Sequence, residues 1–222
     1  MLFDFSGTLF RLEEDESWYA GLTDAGGTPI DVARQAEIMR RMTTPSALTV
    51  DLPAADRKAW ETRDLTPALH RQAYIAVLSA SGVATVEQAT ALYSRMIDPF
   101  EWTPYPDTGD VLKELAAKDI PVAVVSNIAF DVRPAFARRG WDAYIGAFVL
   151  SYEVGVMKPD REIFQIALDR LGAAAPESIM VGDSELADGG VRALGCKFAL
   201  VDYRPTTAQR PDGLRQALAG IL

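Results

Sequence analysis

Four short stretches of the chain carry side chains that could do chemistry together. Asp4-Phe5-Ser6-Gly7-Thr8-Leu9 opens on a carboxylate, and Ser126-Asn127 offers a hydroxyl and an amide. Lys158-Pro159-Asp160 brings an ammonium, and Gly182-Asp183-Ser184-Glu185-Leu186-Ala187-Asp188 brings two further carboxylates. Each has a plainer explanation when taken alone. Asp4 can begin a turn in which Gly7 supplies a positive φ, and Ser126-Asn127 can satisfy backbone groups at a strand end. Lys158 can be a solvated side chain, while Asp183 and Asp188 can cap the helix that follows. Together, three carboxylates, a hydroxyl, an amide and an ammonium would surround one crevice. Carboxylates that close repel one another unless a hard divalent cation neutralises them, and Mg²⁺ takes oxygen ligands. The ammonium and the hydroxyl suit the remaining oxygens of a phosphoryl group.

The elements that must position these groups are legible as short apolar runs. Pro121-Val122-Ala123-Val124-Val125 is apolar on both faces, as a buried parallel strand should be, and stops at Ser126. Similar runs lie at 2–3, 147–150, 179–181 and 198–201, and the five end at Asp4, Ser126, Ser151, Asp183 and Asp202. A helix over about 109–118 repeats Val111, Leu112 and Leu115. Another begins after Pro159-Asp160, places Ile163, Phe164, Ala167, Leu168 and Leu171 on one face, and stops at Gly172. Strand, helix, strand in succession predicts an α/β, doubly wound parallel sheet with its site at the carboxyl ends of the strands. The interval 14–99 breaks that rhythm with helical patterns near 31–42, 67–80 and 86–97, and predicts a helical insertion. The expected domains are therefore a core of residues 1–13 and 100–222 and an inserted unit of residues 14–99. The first strand has only three residues ahead of Asp4. Either it is unusually short or residues upstream of Met1 are missing.

Composition narrows the chemistry. In 222 residues, 49% are apolar, enough for a sizeable core. There are 22 basic against 31 acidic side chains, a net charge of −9, with a pI near 4.7. Such a surface repels nucleic-acid phosphates and anionic lipid, so neither is expected as a partner. One histidine, His70, and one cysteine, Cys196, exclude an internal disulfide and a zinc site of the Cys/His kind. A histidine-based triad could use only His70, so an enzyme of this composition is expected to carry its chemistry on carboxylates. No apolar run approaches the roughly 18 residues of a spanning helix, and no signal peptide is evident, so a cytoplasmic protein, monomer or homodimer, is expected.

On these four stretches and their order, the sequence resembles the haloacid dehalogenase (HAD)-like hydrolases, over essentially all the chain outside the insertion. The resemblance implies a Rossmann-like core with a helical cap inserted after the first stretch. It implies Asp4 as the nucleophile forming an aspartyl intermediate, Ser126 binding the transferring phosphoryl group with Asn127 beside it, and Lys158 neutralising nucleophile and phosphate. It implies a Mg²⁺ cofactor held by Asp4, the Ser6 backbone carbonyl and Asp183, with Asp188 a ligand or an orienting group. The expected substrate is a small phosphorylated metabolite.

Ser6 departs from the pattern. Phosphatases of the family carry a second aspartate there, which protonates the leaving oxygen and then activates water. A serine hydroxyl is far too weak an acid for that role, and general acid–base help is worth roughly 10²–10⁴-fold. Three readings stay open: an enzyme for good leaving groups such as acyl phosphates, a catalytically weak binding or regulatory protein, or different chemistry such as that of a metal-free 2-haloacid dehalogenase. Asp183 argues for the metal enzyme, because beside Asp4 without a cation it would suffer severe repulsion. Within the insertion, Arg40, Arg41, Arg71 and Arg95 could meet an anionic substrate, and Trp18, Tyr19 and Trp60 could line a crevice. Solvated helix charges and local core are the expected roles, with Lys58 facing solvent, His70 structural and Cys196 a buried inert thiol.

Overall fold

Residues 1–43, 50–204 and 206–221 are described by the computed structural model. Residues 44–49 of the expected insertion, and 205 and 222 of the expected core, lie outside the described residues. The strands are β1 (Leu2–Phe3), β2 (Phe10–Leu12), β3 (Trp102–Pro104), β4 (Ala123–Ser126), β5 (Ala147–Leu150), β6 (Ile179–Gly182) and β7 (Lys197–Leu200). The helices are α1 (Val32–Thr43), α2 (Ala54–Glu61), α3 (Pro67–Ala80), α4 (Val86–Met96), α5 (Thr108–Ala117), α6 (Arg133–Ala137), α7 (Ser151–Val154), α8 (Arg161–Leu171) and α9 (Gly213–Ala217). They fall into two compact units, Met1–Arg11 with Trp102–Leu222, and Leu12–Glu101.

The first unit is built on a five-stranded parallel sheet of order β5-β4-β1-β6-β7. Leu2 stands level with Ala123 on one side and Met180 on the other, and Phe3 with Val124 and Val181. β1 is thus the central strand although it has two residues, and both its side chains are fully buried. Strand order reverses on either side of it, so the crevice at the carboxyl ends opens where Asp4 leaves the sheet.

One face of the sheet is covered by α8. Asp160 caps it, its side chain accepting from the Glu162 N–H, and Gly172 ends it in the left-handed region at φ 62°. Ile163, Phe164, Ala167 and Leu168 turn inward onto Leu2, Ala123, Val125 and Met180, and each large side chain so buried contributes about 1.5–3 kcal/mol. An aromatic cluster lies beyond the turn after β1. There Phe5 stacks on Phe10 at 4.9 Å and Phe10 meets Phe136 edge-on at 5.0 Å.

The structure departs from the sequence expectation in several places, among them the two-stranded sheet of β2 and β3 and helix α9, neither of which the residue pattern predicts. The fourth strand begins at Ala123 rather than Pro121, because proline has no N–H to give a ladder. Helix α2 was not anticipated: only Ala59 and Trp60 of its eight residues are buried, too few to print a helical period on the sequence.

The second unit is helical. Among its described residues α3 packs against α1, α2 and α4. Its buried side chains include Met39, Trp60, Tyr74, Leu78, Leu92 and Met96. No helix of the described residues is long and apolar enough to cross a membrane.

Candidate active site

Asp4 is buried at the end of β1, where its N–H still bonds the Val181 carbonyl at 3.0 Å. The chain then reverses in a turn closed by bonds from the Leu9 and Phe10 N–H groups to the Phe5 carbonyl and from the Gly7 N–H to the Phe10 carbonyl. Gly7 sits at φ 78°, and a Cβ there would lie 2.2 Å from Asp183 Oδ2. Only glycine allows this turn and this approach of the carboxylate together.

Lys158 Nζ lies 2.7 Å from Asp4 Oδ1 and 2.6 Å from Asp188 Oδ1, and all three side chains are buried. The lysine stands in the loop between α7 and α8, where Asn127 holds its backbone from both sides. Asn127 Nδ2 donates to the Lys158 carbonyl at 2.9 Å, and Asn127 Oδ1 accepts from the Lys158 N–H at 2.7 Å. The amide side chain is therefore engaged in placing the ammonium. Ser126 is buried at the end of β4. Asp188 opens a 3₁₀ segment, and its second oxygen accepts from the Ser184 N–H at 3.0 Å, which folds the 183–188 loop back on itself.

Asp4, Asp183 and Asp188 each offer an oxygen within 4.8 Å of the others. Burial pushes the Asp4 carboxyl up to about 6; Lys158 opposes the shift and Asp188 adds to it. Burial, reinforced by Asp4 and Asp188, pushes Asp183 up to about 7. Burial works against the Lys158 ammonium too, yet Asp188 and Asp4 outweigh it and hold its pKa above the usual lysine range.

Three carboxylates against one ammonium leave two uncompensated negative charges, the deficit a divalent cation fills. The donors are hard oxygens, as such a cation requires. Ser6, half-buried, makes no hydrogen bond among the described residues, so its carbonyl is open as a further ligand. The residues present fit a divalent metal.

Sequence reasoning missed Arg210, which is buried and stacks on the Tyr105 ring at 3.3 Å. Its guanidinium donates to the Gly7 carbonyl at 2.6 Å and to the Thr8 carbonyl. A lone arginine in a polar stretch far along the chain leaves no local signal of such a contact.

The other candidates are engaged within their own surroundings. In the helical unit Arg40 pairs with Glu37, Arg41 with Glu37 and Ser81, and Arg71 donates to Thr90. Arg95 pairs with Glu101 and lies over Trp18 at 4.2 Å. Tyr19 donates to the Gln35 carbonyl, Trp60 packs on Tyr74, and Lys58 is exposed. His70 Nδ1 lies 3.0 Å from Tyr93 Oη; burial, with the Arg63 cation nearby, pushes its pKa down to about 3, so the ring is neutral at physiological pH. Cys196 is buried in the core, and burial pushes its thiol up.

A Rossmann-like parallel sheet thus carries a buried aspartate–lysine–aspartate cluster at the carboxyl ends of its strands. Residues 1–189 match the model of the haloacid dehalogenase-like hydrolases, and the chain belongs to that family. It is 33% identical over 99 residues to the ribulose-1,5-bisphosphate 5-phosphatase of Halopiger xanaduensis, covering 44% of this chain and 41% of that one. It is 31% identical over 115 residues to the phosphoserine phosphatase of Thermus thermophilus, covering 50% and 46%. The chain thus spans about half the length of the curated relatives it matches. Its fold is that of the L-2-haloacid dehalogenase of Xanthobacter autotrophicus (TM-score 0.62, 23% identity, 90% and 76% of the two chains). The same fold occurs in a HAD-hydrolase of Bacillus subtilis bound to magnesium (TM-score 0.63, 15% identity, 92% and 90%).

Proposed function

We propose that this protein is a Mg²⁺-dependent phosphatase that acts on a small phosphorylated metabolite through an aspartyl-phosphate at Asp4. The observation that carries the reading is Asp183, brought half-buried beside the buried Asp4 and Asp188 in a cluster that calls for a divalent charge. A metal-free dehalogenase would have to hold Asp4 and Asp183 together without that charge. The curated phosphatase relatives support the same choice. The metal, when bound, neutralises the carboxylates and one phosphoryl oxygen.

In this mechanism Lys158 orients the Asp4 carboxylate through Oδ1 and compensates charge as the nucleophile meets the phosphoryl group. Asn127 fixes Lys158, Ser126 bonds a phosphoryl oxygen, and Asp188 anchors the ammonium from its other side. An Asp4 oxygen attacks phosphorus and the bond to the leaving oxygen breaks. Water then attacks phosphorus, its proton passing to a phosphoryl oxygen, and the bond from phosphorus to the Asp4 oxygen breaks to release phosphate with the carboxylate regenerated. Ser6 cannot protonate the leaving oxygen, so the favoured substrates are those whose leaving group departs as a stable anion, acyl phosphates above alkyl ones. The Leu12–Glu101 unit, whose bounds lie close to those of the expected insertion of 14–99, takes the part of the substrate-selecting cap.

The test is phosphate release from acetyl phosphate, from an aryl phosphate and from an alkyl phosphate, with Mg²⁺ and with chelator. Mg²⁺-dependent release, faster from acetyl phosphate than from alkyl phosphates, is expected. Failure to release phosphate from any donor would overturn the proposal.

A further inference from the structure

We propose that Arg210 is a positioning residue for the nucleophile: clamping the Gly7 and Thr8 carbonyls, it fixes the turn that aims Asp4 and leaves the Ser6 carbonyl open. The backbone of that turn shows why the clamp matters. The Phe5 carbonyl accepts from Leu9 and Phe10, the Leu9 carbonyl from the Tyr105 N–H and Thr108 Oγ1, and the Phe10 carbonyl from Gly7. The Gly7 and Thr8 carbonyls are taken by the guanidinium. From Phe5 to Phe10, only the carbonyl of Ser6 accepts no hydrogen bond among the described residues. The arginine therefore completes the turn on both peptide units that follow Ser6.

The side chain is suited to this by shape. A planar fork reaches two successive carbonyls while its face rests on an aromatic ring, which an ammonium on a flexible stem cannot do. The guanidinium is seated from several directions. Tyr105 lies beneath it, the Asp202 carbonyl accepts a third bond at 3.3 Å, and the carboxylates of Asp107, Asp183 and Asp202 act on its charge. A Cβ on Gly213 would lie 2.5 Å from Arg210 Cδ, so the chain entering α9 closes directly on the arginine. That entry is pinned to the start of α5, where Asp107 Oδ2 accepts from the Leu214 and Arg215 N–H groups at 2.8 and 3.1 Å. A segment some 200 residues along the chain thereby sets the nucleophile turn.

The consequence for catalysis rests on the phosphatase reading, but the clamp itself can be tested without turnover. In the full chain, Arg210→Met and Arg210→Lys are compared with wild type by hydrogen exchange of the peptide covering 4–10. Exchange about tenfold or more faster in Arg210→Met, intermediate in Arg210→Lys, and unchanged over β4, is expected. Mg²⁺ affinity by calorimetry should fall roughly 10–100-fold, as it does when groups that orient ligands are removed. On acetyl phosphate kcat should fall with KM little changed, and lysine should restore part of it. Wild-type exchange over 4–10 in Arg210→Met overturns the proposal, as does equal acceleration over β1, β4 and β6 in both variants, which would mark a general stability role. If Arg210→Met does not fold, Arg210→Lys decides on the same criterion. Wild-type protein inert toward every phosphoryl donor would refute the phosphatase reading and leave the exchange result standing.

Discussion

Replacing Gly7 with alanine probes the carboxylate cluster at a single atom. The position has φ 78°, a left-handed conformation that costs a side-chain-bearing residue about 1–2 kcal/mol. The new Cβ would also stand 2.2 Å from Asp183 Oδ2 and 2.8 Å from its Cγ. Ordinary contact begins near 3.4 Å, so the turn and the carboxylate must separate by about 1.2 Å. Mg²⁺ holds its oxygens at roughly 2.0–2.1 Å in a near-ideal octahedron. A shift of more than half a bond length takes Asp183 out of the ligand set. Gly140 is the control: it has φ 69° with nothing within 4 Å of its would-be Cβ, so alanine there adds backbone strain alone. Urea unfolding in chelator should show Gly140→Ala weakened by about 1–2 kcal/mol and Gly7→Ala by at least as much. Calorimetric titration should show Mg²⁺ affinity reduced about tenfold or more in Gly7→Ala only. Wild-type Mg²⁺ binding by Gly7→Ala, or an equal loss in Gly140→Ala, would refute the reasoning.

Without metal, folded Asp4 and Asp183 hold protons more tightly than in the unfolded chain, with pKa values of about 6 and 7 against an ordinary 3.8. Their contribution to stability is therefore fully present below about pH 3.8 and is lost as pH rises through about 6 to 7. Calorimetric melting in chelator should show Tm falling across that window, less steeply in Asp183→Asn, with Mg²⁺ opposing the fall in wild type; equal slopes in both proteins would count against the buried cluster. Ser6→Asp should raise hydrolysis of alkyl phosphates by up to roughly 10²–10⁴-fold and that of acetyl phosphate much less, measured as phosphate release. Equal gains on both would show that leaving-group protonation is not what the serine withholds.

Local features were open to reading from the residues alone. The strand runs at 2–3, 147–150 and 179–181 are apolar on both faces, and α8 prints its inward face, its Asp160 cap and its Gly172 stop directly on the sequence. These signals are local because backbone caps, left-handed stops and hydrophobic period act within a few residues. They also placed Asp4, Ser126 and Asp183 at strand ends, since a buried parallel strand ends where polar groups begin. Helix α2, exposed along most of its length, left no such print.

What the tertiary structure decided is which of these groups meet and at what charge. Lys158 touches Asp4 and Asp188 from 154 and 30 residues away. The side chain of Asn127, polar and at a strand end, is engaged on the Lys158 backbone, which no spacing in the sequence announces. Arg210 closes the Gly7–Thr8 turn from the far end of the chain. Residue types and their order brought carboxylates to the carboxyl ends of the inner strands of a parallel sheet. Only the folded chain determined how strongly those carboxylates are desolvated, what orients them and what holds the turn beneath them, because burial and charge separation exist only once distant segments are packed together.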